Sequence, residues 1–308
     1  MSTPLSGTQH ILRSGDYTAV IASVGASLRC LRLGERDLVV PFEVDDVRPA
    51  FRGATLAPWP NRIVDATYDF EGSSHLLAVS EPARGHALHG LAAWLDFDAV
   101  DKAPDSVTLR ATIQAQIGYP FRIRIDVTYA LDGEGLHESV TATNTGTAPA
   151  PYGTGPHPYL VAGAGLVDDW TLELPVAEVL TVTPDRLSPV AVQSVDDHPE
   201  FDFRAARVIA DTQIDHAFTS VSFTGEAGRA AVRLTSSDGS GVQMTWDEAC
   251  PWVQVHTADR PDPALNRVGL AVEPMTCPPD AFNSGVDLIV LAPDASHTAS
   301  WTIAAITA

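Results

Sequence analysis

The sequence predicts an all-β fold of antiparallel strands, a sandwich or a barrel, from three observations. Hydrophobic residues recur with period two, Asp/Gly/Ser turns join several of these runs, and no amphipathic helix longer than about two turns is readable. From Phe121 the odd positions read Phe121, Ile123, Ile125, Val127, Tyr129 and Leu131, against Arg122, Arg124, Asp126 and Thr128 on the even ones. Such alternation marks a strand with one buried and one wet face. Asp132-Gly133-Glu134-Gly135 then supplies a turn, and the extended run Leu136 to Asn144 completes a hairpin. Val232 to Thr235 turns in the same way through Asp238-Gly239-Ser240-Gly241 into Val242 to Trp246. Further strands are expected at Tyr17 to Val24, Ser106 to Gln114, Trp252 to Thr257, Asp287 to Leu291 and Thr298 to Ile306. Many short strands separated by turn signals indicate sheet packed on sheet or closed on itself.

A chain of 308 residues, 45% of them hydrophobic, has the apolar material for a large core. Its 23 prolines and 22 glycines are scattered and concentrate into no linker, so one domain over residues 1–308 is expected. The formal net charge of −20 repels phosphate backbones and anionic lipid, which argues against nucleic-acid and membrane-surface partners. Cys30, Cys250 and Cys277 are sparse, odd in number and far apart; they form no disulfide framework and suit a reducing compartment. The first residues lack a basic stretch followed by an apolar one, and no run approaches a membrane-spanning length. The expectation is a cytoplasmic protein.

Ionisable residues in Pro/Gly-rich settings are the candidates for chemistry. In Ala57-Pro58-Trp59-Pro60-Asn61-Arg62-Ile63, a rigid loop presents an arginine fork, either to hydroxyls or to a surface carboxylate. Glu81-Pro82-Ala83-Arg84-Gly85-His86-Ala87-Leu88-His89-Gly90 holds two histidines at a spacing that ligates a metal only on a helix. Gly85 and Gly90 disfavour that helix and no third ligand is near in sequence, so a loop histidine bonding a substrate is the better reading. His157 lies between Pro156 and Pro158, where its backbone has little freedom, as an acid/base group requires. Glu273 ends the apolar run Gly269 to Val272 just before Pro274; desolvation there would raise its pKa unless an ion pair holds it. Asp215, in Gln213-Ile214-Asp215-His216-Ala217-Phe218, is a weaker candidate.

In order along the chain, these segments resemble the aldose 1-epimerase (galactose mutarotase) family. The matching marks are Asn61-Arg62, Leu88-His89-Gly90, His157 with Tyr159, Asp215, Gln254 within Val253-Gln254-Val255-His256-Thr257, and Glu273-Pro274 followed by Pro279-Asp280-Ala281. The resemblance implies a large antiparallel β-supersandwich, and an enzyme that interconverts the anomers of a free aldohexose without metal or cofactor. By the same resemblance His157 is the general acid at the ring oxygen and Glu273 the base at the C1 hydroxyl. Arg62, His89, Asp215 and Gln254 would bind sugar hydroxyls, with Asn61 and Tyr159 supporting them. Opening a hemiacetal removes one proton at O1 and delivers one at O5, so an acid and a base suffice; an imidazole near its ordinary pKa of about 6.5 and a modestly raised glutamate would serve. The expected partner is a small free sugar, and the chain is expected to act as a monomer or homodimer.

The sequence departs from the family pattern at His86, where Asn is usual, at Leu91, where Gly is usual, and in the short His157-Pro158-Tyr159-Leu160 segment. These positions touch loops around the sugar and leave the preferred aldose open. A hexose-6-phosphate 1-epimerase would need additional cations at the site, and only Arg52 and Arg84 are visible in the recognised loops. A non-catalytic sugar-binding module would have lost His157 or Glu273, and both are present.

Overall fold

The structure is a computed structural model that describes residues 3–224 and 226–308. It is built almost entirely of antiparallel strands in a sandwich arrangement. The largest sheet has nine strands, in the order Asp98–Lys102, Ser106–Ile113, Ile123–Asp132, Gly135–Asn144, Ser296–Ile306, Gly241–Trp246, Ala230–Thr235, Thr171–Glu173 and Arg207–Val208. A six-stranded sheet runs Tyr159–Leu160, Leu270–Met275, Trp252–His256, Asp215–Val221, Val176–Val182 and Pro189–Ser194. A four-stranded sheet is formed by Gln9–Ser14, Tyr17–Ala22, Ser27–Leu33 and Arg36–Asp37.

The inward faces of these sheets share one buried cluster. Leu12, Ile21 and Leu31 come from the four-stranded sheet, Ile125, Val127 and Tyr129 from the nine-stranded one, and Val253, Val255 and Val272 from the six-stranded one. The hairpin at Ile123–Asp132 and Gly135–Asn144 shows the predicted alternation: Ile123, Ile125, Val127 and Tyr129 are fully buried while the intervening residues are not. Its first strand starts at Ile123, two residues after the expected Phe121. Strand ends elsewhere move by a few residues for local reasons. Tyr17–Ala22 stops short of Val24 because Gly25 and Ala26 take positive φ, and Ile289–Leu291 starts late because Asp287 does. The edge strands Asp98–Lys102 and Pro189–Ser194 were not legible: neither buries a face, so neither alternates. The single α-helix among the described residues is four residues long, Ala281–Ser284, and no helix is long and apolar enough to cross a membrane. All three cysteines are buried and unpaired.

One inward position of the nine-stranded sheet carries a charge-capable group. Glu138 is buried, its carboxylate accepts a hydrogen bond of 2.8 Å from the Trp301 indole, and burial raises its pKa from 4.5 to about 7 against that bond. Between those two values the folded protein holds a proton that the unfolded chain releases, so stability falls as pH rises from 4.5 through about 7. Glu138→Gln keeps an acceptor for Trp301 and removes this penalty. The stability of the variant relative to wild type should therefore rise from pH 5 to pH 8 by on the order of 3 kcal/mol, read by urea unfolding at the two pH values. An unchanged difference would show that Glu138 does not titrate in this range.

Candidate active site

Strand register brings the carboxylate and the imidazole together. Leu270–Met275 pairs with Tyr159–Leu160 so that Ala271 is opposite Tyr159. Two residues beyond that pair, forward from Ala271 and back from Tyr159, Glu273 faces His157, which immediately precedes the strand on the link from Gly155–Pro156. The His157 Nε2 to Glu273 Oε1 distance is 3.4 Å, and both side chains are buried. On the other side Glu273 is opposite Gln254, and Gln254 is opposite Ala217, two residues from Asp215. Gln254 Nε2 donates to Asp215 Oδ1 at 2.8 Å. Thus Asp215, Gln254, Glu273, His157 and Tyr159 occupy the face of the six-stranded sheet opposite the one that Val253, Val255 and Val272 turn to the core.

Arg62 and His89 arrive from a separate two-stranded ladder in which Arg62 is opposite Leu88. Asn61, in the left-handed region at φ 52°, accepts from the Arg62 amide at 2.9 Å through its side chain and from the His89 amide at 2.8 Å through its carbonyl. Gly90 is required here, because at φ +72° a Cβ would stand 2.2 Å from the Ala57 carbonyl oxygen. The Asp280 of the Pro279-Asp280-Ala281 motif binds the backbone of this segment: its amide donates to the Arg62 carbonyl at 2.7 Å and its carboxylate accepts from the Val64 amide at 2.9 Å. Arg62 itself grips Glu81 with two bonds, Nε to Oε2 at 2.8 Å and Nη2 to Oε1 at 3.1 Å, and Arg84 adds a third at 2.7 Å.

All eight residues marked by the sequence, Asn61, Arg62, His89, His157, Tyr159, Asp215, Gln254 and Glu273, line one cavity of about 470 Å³. His86 does not. Its Nδ1 accepts from the Asp65 amide at 3.1 Å and its Nε2 donates to the Arg186 carbonyl at 3.0 Å, so it ties two loops together behind the site. Gly85 and Gly90 both have positive φ, as a turn rather than a helix requires. The metal-like pair of His86 and His89 is therefore not formed. His89 instead meets His157 and Glu273, with ligand atoms all within 4.8 Å of one another. Two imidazoles and one carboxylate are a donor set that suits a divalent transition metal, but the Nδ1 atoms of both rings lack the hydrogen-bond partner that normally orients a ligating histidine.

Electrostatics divides the site in two. At the Arg62 end, burial works against both charges, yet the hydrogen bonds and mutual attraction hold Glu81 below the usual carboxylate range and Arg62 above its own. At the sheet face, burial drives the titratable groups towards neutrality. Desolvation, reinforced by the charge of Asp215, pushes Glu273 well above 4.5. Desolvation, reinforced by His256, pushes His157 to about 3, and His89 also falls well below 6.5. The sequence reading expected a histidine near its ordinary pKa and a modest shift on the glutamate; full burial makes both shifts larger.

Several cavity residues had no sequence signal. Phe51 lies in a segment without a recognised motif, and Arg260 lies in a polar loop that reaches the cavity only through the fold. Glu81 was within a highlighted segment but nothing marked it as the Arg62 partner. Arg84 lines the cavity as the sequence suggested, whereas Arg52 lies over the Tyr159 ring, 5.8 Å from its centroid.

The chain is thus an antiparallel β-sandwich with a buried carboxyl–imidazole pair on the wall of one cavity. The sequence model of the Aldose 1-epimerase family matches residues 9–304, and the chain belongs to that family. It is 37% identical to YihR of Escherichia coli (strain K12) over 293 residues, covering 95% of this chain and 91% of the relative. Among solved structures, a putative aldose 1-epimerase from Escherichia coli K12 superimposes with TM-score 0.84 at 20% identity, covering 98% and 99% of the two chains. A GalM/aldose epimerase homologue from C. elegans gives TM-score 0.83 at 22% identity over 97% and 100%.

Removing the Glu81 charge should release Arg62 without touching Glu273 or His157. Glu81→Gln is expected to lower kcat/KM for an accepted sugar about tenfold, through loss of one charge-assisted, two-pronged hydrogen bond. Steady-state kinetics with a parallel thermal melt measures this, and an unchanged kcat/KM would show that Arg62 needs no carboxylate to hold its position.

Proposed function

We propose that the protein is a cofactor-free aldose 1-epimerase that opens and recloses the ring of a free aldohexose, with Glu273 and His157 as its proton-transfer pair. The carrying observation is their opposition at 3.4 Å on the buried wall of a cavity otherwise lined by hydroxyl-binding groups. The reaction needs a group that takes the O1 proton and one that gives a proton to O5. With Glu273 as carboxylate and His157 as imidazolium, ring opening moves one proton onto Glu273 and one off His157. The pair then stands as neutral carboxyl and neutral imidazole, the state that burial favours, and its total proton count is unchanged. Rotation about C1–C2 exposes the other face of the aldehyde, and reversal of both transfers closes the other anomer. Arg62, His89, Asp215 and Gln254 hold hydroxyls through the cycle, supported by Asn61 and Tyr159. The main buried cluster, from Leu12 to Ile303, supports one working domain, and the unpaired cysteines support a cytoplasmic site of action.

A second reading concerns the substrate. Arg84 and Arg260 both line the cavity, and Arg260 makes no ion pair among the described residues. This supplies the extra cation that an aldose carrying a phosphate, or another anion on C6, would require. Polarimetry or exchange NMR on a panel of neutral, 6-phosphorylated and 6-sulfonated aldoses tests both readings. Acceleration of at least one aldose is expected, and no acceleration of any would remove the activity.

Glu273→Gln and His157→Ala should each lower kcat by about 10²-fold or more while the protein stays folded. Near-normal turnover by folded Glu273→Gln would overturn the pair. Because burial lowers His157 to about 3 and raises Glu273, the pair keeps its single proton on the acid side, so lowering the pH from neutral to about 5 should not reduce kcat/KM. A limb centred near about 6.5, the value of an isolated histidine, would contradict the coupling. Dialysis against EDTA should leave the rate unchanged; loss that one metal restores would assign His89, His157 and Glu273 to that metal instead.

A further inference from the structure

The cavity wall beside the acid–base pair contains an unusual backbone. Ala50, at φ 46° and ψ 39°, and Phe51, at φ 56°, are consecutive non-glycine residues in the left-handed region. Each such residue is strained and persists only where its surroundings enforce it. Here they do. The Tyr159 hydroxyl donates to the Ala50 carbonyl at 3.3 Å, the Gly53 amide donates to the His157 carbonyl at 2.8 Å, and the Ala54 amide donates to the Phe51 carbonyl at 3.0 Å. At the head of the segment Arg48, a buried guanidinium without a carboxylate partner, donates to the Val24 carbonyl at 3.1 Å and to the Ala93 carbonyl. Its guanidinium carbon lies 4.5 Å from the Trp94 ring centroid.

All these contacts fix one side chain relative to the reacting groups. The Phe51 ring is 4.7 Å from the His89 ring and 6.4 Å from that of His157, the latter near-parallel at 23°. It packs against Ala54, Leu56 and Ala93 while still lining the cavity. The other phenyl-type ring on the lining, Tyr159, stacks on His157 at 5.2 Å and has its hydroxyl committed to Ala50. A pyranose presents hydroxyls at its edge and a patch of C–H groups on its face. Arg62, Asp215 and Gln254 answer the edge; among the described lining residues, Phe51 is the flat apolar surface available to the face.

We propose that Phe51 is a substrate-binding platform: its ring receives the C–H face of the pyranose and so sets the ring plane that presents O1 and O5 to Glu273 and His157. This rests on the reading of the cavity as a sugar site, but not on turnover. The left-handed pair is retained because it is the backbone that holds an aromatic ring beside His89 rather than in the core.

The test compares Phe51→Leu, which keeps apolar volume and loses the flat ring, with Phe51→Tyr, which keeps the ring. All three residues carry the same left-handed penalty, so stability is matched as closely as possible and is verified by thermal melts. For the best aldose of the panel, Phe51→Leu should raise KM about tenfold with a smaller change in kcat, and Phe51→Tyr should stay within about threefold of wild type. Calorimetric titration of the same sugar into the Glu273→Gln protein, with and without Phe51→Leu, reads affinity independently of turnover and should show the same loss. Unchanged affinity in Phe51→Leu, or equal weakening in the leucine and tyrosine variants, would overturn the proposal, as would failure of any aldose to bind. If sugar binds to a wild-type protein that does not accelerate mutarotation, the catalytic reading fails, and a Phe51→Leu affinity loss measured by calorimetry still supports the platform.

Discussion

A carboxyl group and an imidazole held 3.4 Å apart out of water are the constraint around which the site is organised. Neither group is stable there as a lone charge, because desolvation raises Glu273 and lowers His157. Together they can share a proton at no cost in net charge, and in the anomerisation proposed above the two distributions of that proton would correspond to the closed-ring and open-chain stages. Under that proposal, the burial that makes either residue a liability alone would let the pair exchange protons. The six-stranded sheet provides rigidity: strand register sets Glu273 opposite Gln254, and the two-residue link His157-Pro158 between the short strands Gly155–Pro156 and Tyr159–Leu160 holds His157 against it.

The remaining elements build the cavity wall around that pair. The ladder of Arg62–Ile63 with Ala87–Leu88 is short, and its position depends on Asn61, Gly90 and Asp280 bonding to its backbone. Glu81 then neutralises Arg62 and aims it. The carboxylate offsets the cost of burying this guanidinium, and the bidentate geometry gives its donors a fixed direction. Behind this ladder His86 uses both ring nitrogens on backbone groups. The departure from the family pattern at this position is thus a loop-to-loop tie and not a ligand. The left-handed segment at Ala50 and Phe51 closes the remaining wall.

Much of the fold was legible because one-sided burial leaves a period-two record. Ile123 to Leu131 and Gly241 to Trp246 alternate since one face of their sheet meets the core and the other meets water. Leu270–Met275 is buried on both faces and shows only as an apolar run, while Asp98–Lys102 is exposed throughout and shows nothing. The eight residues named from the sequence, all found lining one cavity, were legible because rigid Pro/Gly contexts, and a resemblance spread over most of the chain, marked them one at a time. Glu81 and Arg260 escaped because a carboxylate three residues from an arginine, or an arginine in a polar loop, looks the same on any surface.

Residue types and their local stiffness were therefore determined by the sequence: an imidazole between prolines, a carboxylate ending an apolar strand, an arginine after a Pro-rich turn, a glycine after His89. Only tertiary structure decided which of them meet. His89 is three residues from His86 yet joins His157 and Glu273, because the glycines at 85 and 90 turn the chain instead of coiling it. The size of the pKa shifts was likewise undecided until burial was known, since desolvation belongs to the packed environment and not to the residue. A sequence specifies which groups can carry protons; the packing of distant segments and the exclusion of water decide that these two meet.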